Sequence, residues 1–199
     1  MEDSWLSGLA ERPVIAAVRE ERSLRAAVDS AAVVVFLLST TVLNVKQLVQ
    51  EARQNGRSVF VHLGLMEGLT KDHFGLRWLA ETAGPTGIIS TRSAALTAAR
   101  GLGLATVQRF FLLDSQSIHT GLDMAHNVKP DVIEVLPGLL PEVVRDVTRQ
   151  VSQPVIAGGM ITSEDQCRRA LQAGARGVST SNPKLWQFNP KQCRKEVNS

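Results

Sequence analysis

Short runs of apolar and β-branched residues alternate with longer amphipathic segments along the whole chain. This alternation is typical of a parallel sheet whose strands are covered by helices. The runs predict eight strands, over residues 14–18, 33–38, 58–63, 87–90, 105–108, 132–136, 154–157 and 177–179. Eight units in 199 residues favour the α/β class and a single compact (β/α)8 TIM barrel domain over residues 1–199.

The segments between the strands carry apolar residues at three- and four-residue spacing, which predicts helices. These helices cover residues 23–30, 42–55, 72–82, 94–102, 141–151 and 163–173. Gly56, Gly103 and Gly174 each follow one of them and predict a helix end, since glycine readily adopts the left-handed conformation that closes a helix. Residues 114–128 are less apolar and contain Gly121, so a short or irregular helix is expected there.

The alternative architecture is an open, doubly wound sheet. That fold often binds dinucleotides at a Gly-x-Gly-x-x-Gly turn after its first strand, and no such turn follows residues 14–18. The even spacing of the eight units therefore favours closure of the sheet into a barrel.

Composition limits the class of protein without choosing a function. The hydrophobic fraction of 44% and the charged fraction of 21% are ordinary for a globular chain. Residues 1–12 contain no basic segment that leads into an apolar run, so no signal or transit peptide is recognised and a cytoplasmic location is expected. The longest apolar run, residues 31–38, is too short to cross a bilayer, so no membrane partner is expected.

The charge balance is mildly basic. A net charge of +3 and an isoelectric point near 9.2 permit an acidic ligand or a nucleic acid without requiring either. The densest basic cluster lies near the C-terminus and is interpreted as one face of a solvated terminal helix. Its members are Lys184, Lys191, Arg194 and Lys195.

The spacing of cysteine and histidine predicts no metal site. Cys167 and Cys193 occur in segments expected to be helical, without a Cys-x-x-Cys pair and without a histidine pattern beside them. Both are expected to be reduced, and neither a metal nor another cofactor is expected.

Ligands of a (β/α)8 barrel bind at the carboxyl ends of the strands, so the residues that end each predicted strand are the candidates for a site. They are Arg19, Ser39, Thr40, His62, Glu67, Ser90, Arg92, Gln108, Arg109, Glu134, Gly158, Gly159, Ser179, Thr180, Ser181 and Asn182.

The last two strand ends suggest a phosphate site. Gly158 and Gly159 have no side chains that would keep an anion away from their backbone N–H groups. Residues 179–182 add hydroxyl donors and are expected to lead into a helix whose first N–H groups are unpaired. Glycines follow strands in many α/β proteins, but phosphate sites in this fold recur after the seventh and eighth strands, which favours phosphate binding.

Three arginines are expected to point toward the barrel mouth. The guanidinium groups of Arg19, Arg92 and Arg109 suit both phosphate and carboxylate. The alternative is a ring of salt bridges to acidic residues near the same strand ends, and the two arrangements are compatible. Those acidic residues are Glu67, Asp114 and Glu134.

No catalytic residue is assigned. His62 lies among apolar neighbours on its strand, which favours a buried histidine with a satisfied hydrogen bond over a catalytic base. Glu67 and Glu134 are able to transfer protons, but their separation in sequence defines no geometry.

Several ordered motifs run along nearly the whole chain. They are VHLGLMEG at 61–68, GIISTRS at 87–93, QRFFLLDS at 108–115, KPD at 129–131, IEVLPG at 133–138, IAGG at 156–159 and STSNPKLW at 179–186. Together they resemble the glycerol uptake operon antiterminator regulatory proteins, and this resemblance is far more specific than composition.

The resemblance implies a cytoplasmic regulator, not an enzyme, that responds to glycerol 3-phosphate. Such a regulator binds the leader mRNA of a glycerol-utilisation operon and lets transcription pass a terminator. Homo-oligomerisation and the RNA-contacting surface are left open. Carried over by position, the residues implied at the phosphate and the mouth are Gly158, Gly159, Ser179, Ser181, Asn182, Arg19, Arg92, Arg109 and Glu134.

The chain departs from the family pattern at two positions. Gly64 stands where an acidic residue is expected, and Thr162 stands where a basic residue commonly follows the Gly-Gly turn. The first change removes a partner for an arginine or a glycerol hydroxyl, and the second removes a positive charge near the phosphate. An enzyme on a phosphate-binding barrel that acts on a small phosphorylated ligand, and a metabolite sensor that acts through a protein partner, are the alternative functions.

Overall fold

The structure, a computed structural model, describes residues 4–190, in which eight parallel strands close into a barrel in chain order. The barrel strands are β1 (Val14–Val18), β2 (Val34–Leu37), β3 (Ser58–His62), β4 (Gly87–Ser90), β5 (Ala105–Phe111), β6 (Val132–Leu136), β7 (Val155–Gly158) and β8 (Gly177–Thr180). The barrel closes where β8 pairs with β1, with Val178 beside Val14 and Ser179 beside Ile15. The predicted TIM barrel is confirmed.

Eight α-helices lie within residues 4–190. They are α1 (Ser4–Glu11), α2 (Leu24–Val28), α3 (Val45–Gln54), α4 (His73–Trp78), α5 (Ser93–Gly101), α6 (Ser115–Val128), α7 (Pro141–Gln150) and α8 (Glu164–Gln172). The backbone is left-handed at Gly56, Gly103 and Gly174, with φ of 74°, 75° and 106°, as predicted for the residues that follow α3, α5 and α8. No helix in the described part of the chain is both long enough and apolar enough to span a bilayer.

The expectation of a short or irregular helix after β5 is wrong, because α6 is a regular helix of 14 residues. It begins with a capping box in which the Asp114 side chain accepts from the Ser117 N–H and the Ser117 hydroxyl oxygen accepts from the Asp114 N–H. Gly121 lies against the Phe110 ring, where a Cβ atom would be 2.6 Å from the ring carbons. The glycine therefore allows a close approach of α6 to β5 and does not interrupt the helix.

Two other helices differ from their predicted bounds. The helix predicted over 42–55 begins later because residues 40–41 pair with residues 66–67 in a separate two-stranded parallel sheet. The Asn44 side chain then accepts a hydrogen bond from the Thr41 N–H at 2.8 Å and fixes the turn before α3. The helix predicted over 72–82 is α4 followed by a π-helical turn over Leu79–Ala83.

The segment after β8 does not lead into the predicted helix. It forms a three-residue 3-10 helix over Pro183–Leu185, and the Asn182 side chain accepts the Lys184 N–H, so that amide is already paired. The Trp186 ring is buried, and its Nε1 donates to the carbonyl oxygen of Thr180 at 2.8 Å. Cys193 and the basic residues Lys191, Arg194 and Lys195 lie outside the described residues.

The barrel interior has two layers, which we call the lower and the upper layer. The lower layer, at the amino ends of the strands, is apolar and is closed by α1, which the sequence pattern did not predict. Its members are Trp5, Leu9, Ile15, Phe36, Phe60, Val107, Val132 and Ile156. Since strand side chains alternate between faces, the residues two places further along β3, β5, β6, β7 and β8 form the upper layer. They are His62, Arg109, Glu134, Gly158 and Ser179.

Candidate ligand-binding site

A buried ion pair occupies the centre of the upper layer. Arg109 and Glu134 are register neighbours on β5 and β6, and Arg109 Nε donates to Glu134 Oε2 at 2.7 Å. The side chains are 7% and 0% exposed. The Ser179 hydroxyl donates to the other carboxylate oxygen, Glu134 Oε1, at 2.6 Å. Each oxygen of the buried carboxylate therefore accepts one hydrogen bond, as a charge removed from water requires.

Gly158 makes room for this arrangement. A Cβ atom at this position would lie 2.5 Å from both Glu134 Oε1 and the Ser179 hydroxyl oxygen. The carbonyl oxygen of Gly158 accepts a hydrogen bond from the Gly138 N–H at 2.6 Å. The structure thus gives Gly158 a packing role behind the ion pair, at the end of β7.

The loop after β7 presents unpaired backbone N–H groups. Gly159 and Met160 both have left-handed backbones, with φ of 75° and 61°, which turns the chain sharply over the barrel mouth. Within residues 4–190, nothing accepts a hydrogen bond from the N–H groups of Gly159, Met160 or Ile161, nor from that of Ser181 after β8. We call these four groups the amide cradle. Unpaired N–H groups on residues that line one cavity are suited to an anion.

Side chains at the end of β8 and in the loop after it fix the position of the β7 loop. The Thr180 hydroxyl donates to the carbonyl oxygen of Ile161 at 2.7 Å, and Asn182 Nδ2 donates to the carbonyl oxygen of Thr162 at 3.1 Å. Because its amide oxygen accepts the Lys184 N–H, Asn182 is engaged at both ends of its side chain. Thr180 and Asn182 therefore hold the two loops together.

The two loops and the upper layer enclose a cavity of about 230 Å³. Its polar and charged walls include two arginines and one carboxylate, so the lining favours an anion. The lining residues are Ala17, Arg19, Leu38, Arg109, Glu134, Leu136, Gly159, Met160, Ile161, Thr162, Ser179, Thr180, Ser181 and Asn182.

Seven of the nine predicted site residues line this cavity, and Gly158 and Arg92 do not. Arg92 is exposed in the turn that precedes α5, where its N–H donates to the Ser90 hydroxyl oxygen at 3.0 Å. Arg19 is exposed at the cavity edge and forms no ion pair with the residues that the structure describes. Binding of a ligand by these residues remains a prediction.

The salt-bridge ring predicted at the mouth is reduced to the Arg109–Glu134 pair. Asp114 caps α6, and Glu67 is exposed on the short two-stranded sheet. Gly64 is exposed, and its carbonyl oxygen accepts from Lys71 Nζ at 2.8 Å. At the second departure, the Thr162 N–H and hydroxyl both donate to Gln166 Oε1, at 2.7 and 3.2 Å.

His62 is neutral at physiological pH. Burial, followed by the positive charge of Arg109, lowers the pKa of His62 from 6.5 to about 4. Its Nδ1 accepts a hydrogen bond from the Leu65 N–H at 3.1 Å. This environment fits a buried histidine with a satisfied hydrogen bond, the interpretation that the sequence favoured. 

No metal centre is formed in the described part of the chain, where no group of three or more His, Cys, Asp or Glu residues converges. Cys167 is buried on α8, and burial raises the pKa of its thiol to about 11, so the thiol stays protonated.

The sequence did not single out Met160 and Ile161, whose N–H groups belong to the amide cradle. The signal for them is their place directly after the Gly-Gly pair, because a tight turn after a barrel strand exposes several successive amides. Two further wall residues, Ala17 and Leu38, have no sequence signal except their place near the end of an apolar run.

Comparison with known proteins finds relatives over nearly the whole chain. The family model described as glycerol-3-phosphate responsive antiterminator matches residues 14–186. The uncharacterized protein YgcP of Escherichia coli (strain K12) is 35% identical over 183 residues, which is 92% of this chain and 96% of that protein.

Two solved structures share both the barrel and appreciable sequence identity. The glycerol uptake operon antiterminator regulatory protein from Listeria monocytogenes str. 4b F2365 has a TM-score of 0.85 and 34% identity, over 89% of this chain and 96% of its own. A glycerol uptake operon antiterminator-related protein from Thermotoga maritima MSB8 has a TM-score of 0.79 and 31% identity, over 89% of this chain and 99% of its own. Barrel enzymes also match, including an aldolase at 14% identity, and this likeness shows the fold alone. The resemblance inferred from the motifs is confirmed.

Proposed function

The chain belongs to the glycerol-3-phosphate responsive antiterminator family, and from this premise we propose that it is a ligand-controlled regulator of transcription. Glycerol 3-phosphate binds in the cavity at the carboxyl ends of β7 and β8. The occupied protein binds the leader mRNA of a glycerol-utilisation operon and allows transcription to continue past a terminator.

The observation that carries the proposal is the amide cradle beside two arginines. Four N–H groups that have no partner within residues 4–190 belong to residues lining one cavity at the loops after β7 and β8, and Arg19 lines the same cavity. Phosphate oxygens accept hydrogen bonds from such groups, and phosphate sites recur at this place in (β/α)8 barrels. The phosphate therefore lies against Gly159 and Ser181, and the rest of the ligand extends toward the upper layer.

The RNA-binding part of the proposal is supported by the surface around the mouth. Phe74 and Phe111 lie at this end of the barrel and are 78% and 46% exposed. Lys71 and Arg92 are exposed on neighbouring loops. Unpaired RNA bases stack on exposed aromatic rings, and cations bind the RNA backbone. A ligand bound at the same end of the barrel is able to shift the conformation of these loops and hence their affinity for RNA.

Two linked measurements test the proposal. Calorimetric titration of the full chain with glycerol 3-phosphate gives binding without turnover, and a gel shift with the leader RNA of its own operon shows tighter binding when the ligand is present. A coupling of about 1–3 kcal/mol corresponds to an increase in RNA affinity of roughly 5- to 150-fold. Ligand binding with an unchanged RNA affinity excludes the regulatory proposal, and release of a product points to an enzyme.

The variant Gly159→Asp tests the position of the phosphate. It puts a carboxylate beside the amide cradle, so glycerol 3-phosphate affinity falls by about tenfold or more through charge repulsion. Gly103→Asp is the matched control, because Gly103 has the same left-handed φ of 75° and nothing lies within 4 Å of its Cβ position. An unchanged affinity in Gly159→Asp contradicts the proposed site.

A further inference from the structure

We infer that the Arg109–Glu134 pair selects the end of the ligand opposite the phosphate, and that it favours a neutral hydroxyl over a carboxylate. This inference rests on the proposed function and adds to it the chemistry that the upper layer recognises. The ligand class is a small phosphorylated polyol, and phosphorylated hydroxy acids are rejected.

Arg109 presents unused hydrogen-bond donors to the cavity. Only its Nε donates to Glu134, and within the described residues nothing accepts a hydrogen bond from its two terminal amino groups. Neither amino group is completely closed off from solvent, and Arg109 lines the cavity. A nearly buried guanidinium therefore offers N–H groups to whatever occupies the space above it.

Glu134 supplies the matching acceptor. Its two oxygens accept one hydrogen bond each in the interior, from Arg109 and Ser179, although a carboxylate has about four lone-pair positions. A hydroxyl group of the ligand is able to accept from Arg109 and donate to Glu134 at the same time. A carboxylate of the ligand is able only to accept, so it leaves Glu134 without a donor.

The charge balance of the pair separates the two kinds of ligand further. Glu134 is fully buried and compensates the charge of Arg109, so the pair is formally neutral. Because Glu134 already neutralises Arg109, a ligand carboxylate would add a negative charge without a free positive partner in a region of low dielectric constant, which costs free energy. A hydroxyl brings no charge and avoids this cost.

The carboxylate of Glu134 is held in place by two hydrogen bonds. Arg109 and Ser179 bind it from two sides, and Gly158 leaves room for it, since a Cβ there would lie 2.5 Å from Glu134 Oε1. A charged group fixed by its neighbours discriminates between ligands better than a mobile one.

The test compares two ligands that share the phosphate and the central hydroxyl. Glycerol 3-phosphate ends in a hydroxymethyl group, and 3-phosphoglycerate ends in a carboxylate. Calorimetric titration of the full chain with each should give an affinity for glycerol 3-phosphate that is at least about tenfold higher. Inorganic phosphate, titrated in parallel, reports on the amide cradle alone.

The variant Glu134→Gln assigns the selectivity to this residue. It keeps the shape and an oxygen acceptor but removes the negative charge, so the ratio of the two affinities should shift toward 3-phosphoglycerate by about tenfold. Glu67→Gln removes an exposed carboxylate that does not line the cavity and should keep the wild-type ratio. Melting curves of both variants show whether they fold.

The outcomes separate the inference from the proposed function. If the wild-type chain binds none of the three phosphate compounds, the proposed function is wrong. If it binds glycerol 3-phosphate and 3-phosphoglycerate with equal affinity, or if Glu134→Gln folds and keeps the wild-type ratio, the inference is overturned while the phosphate site stands. The wild-type comparison decides the matter even if Glu134→Gln does not fold.

Discussion

The lower and upper layers of the barrel interior lie two residues apart on the same strands and are both buried, and yet they differ in polarity and in packing. The lower layer is filled, with the rings of Trp5 and Phe60 only 4.7 Å apart. The upper layer holds a buried ion pair and an open cavity of about 230 Å³. This difference indicates that the lower layer stabilises the fold, whereas the upper layer leaves room for the ligand that we propose.

The largest effect is expected from truncation of the lower layer. Phe60→Ala removes a fully buried ring that contacts Trp5 and Phe36, so the free energy of unfolding should fall by about 3–5 kcal/mol in urea denaturation. The exposed Phe74 is the control, and Phe74→Ala should change the free energy of unfolding by no more than about 0.5 kcal/mol. Equal losses in the two variants would refute the assignment of stability to the lower layer.

Breaking the ion pair should cost stability for a different reason. Arg109→Met leaves Glu134 buried without a positive charge, so the free energy of unfolding should fall by about 3–5 kcal/mol. Replacing both residues, in Arg109→Met with Glu134→Leu, should recover most of this loss because no uncompensated charge is left. Neither variant should bind glycerol 3-phosphate normally in calorimetry. A double variant as unstable as the single one would show that the pair itself stabilises the fold.

His62 should make the stability of the upper layer depend on pH. Because burial lowers its pKa from 6.5 to about 4, the unfolded chain binds more protons than the folded chain between these values. The free energy of unfolding is therefore unaffected by His62 above pH 6.5. It falls by about 3 kcal/mol as pH drops from 6.5 toward 4. Urea denaturation at several pH values should show that the free energy of unfolding depends less on pH in His62→Gln than in His119→Gln. His119 is exposed, so its variant is the control.

A smaller loss of stability is expected from crowding at Gly158, the upper-layer residue at the end of β7. Gly158→Ala puts a methyl group 2.5 Å from Glu134 Oε1, so crowding should lower the free energy of unfolding by about 1–3 kcal/mol. In Gly101→Ala, where nothing lies within 4 Å of the added Cβ, the same measurement should show little change or a gain of up to about 1 kcal/mol. A Gly158→Ala chain as stable as the wild type would contradict the crowded packing behind Glu134.

The sequence predicted the barrel because a barrel strand is buried on both faces. Continuous apolar runs such as those of β1 and β2 therefore mark the strands almost to the residue. The regular helix α6 was not predicted, because Gly121 was interpreted as a helix breaker. Its role is to contact Phe110, and a contact in the folded chain leaves no local sequence pattern. Helix α1 was missed because its role is to close the lower layer, a contact that no local period reveals.

The site was predictable as far as strand register determines it. Arg109 and Glu134 are register partners on neighbouring strands and point to the same face, so the fold brings them together. Arg92 lies beyond the end of β4 and an odd number of residues after the inward Ile89, so alternation directs it away from the cavity. The amide cradle could not be predicted in full, because backbone N–H groups carry no sequence signal except at glycine.

A crystal structure of the chain with glycerol 3-phosphate tests most directly that the cavity at the ends of β7 and β8 is the effector site. The account predicts phosphate oxygens within hydrogen-bonding distance, about 2.7–3.2 Å, of the N–H groups of Gly159 and Ser181. It also predicts the hydroxymethyl end beside the Arg109–Glu134 pair, on the cavity side. A ligand bound elsewhere, or bound with its phosphate at Arg109 and its hydroxyl groups at the amide cradle, would contradict it.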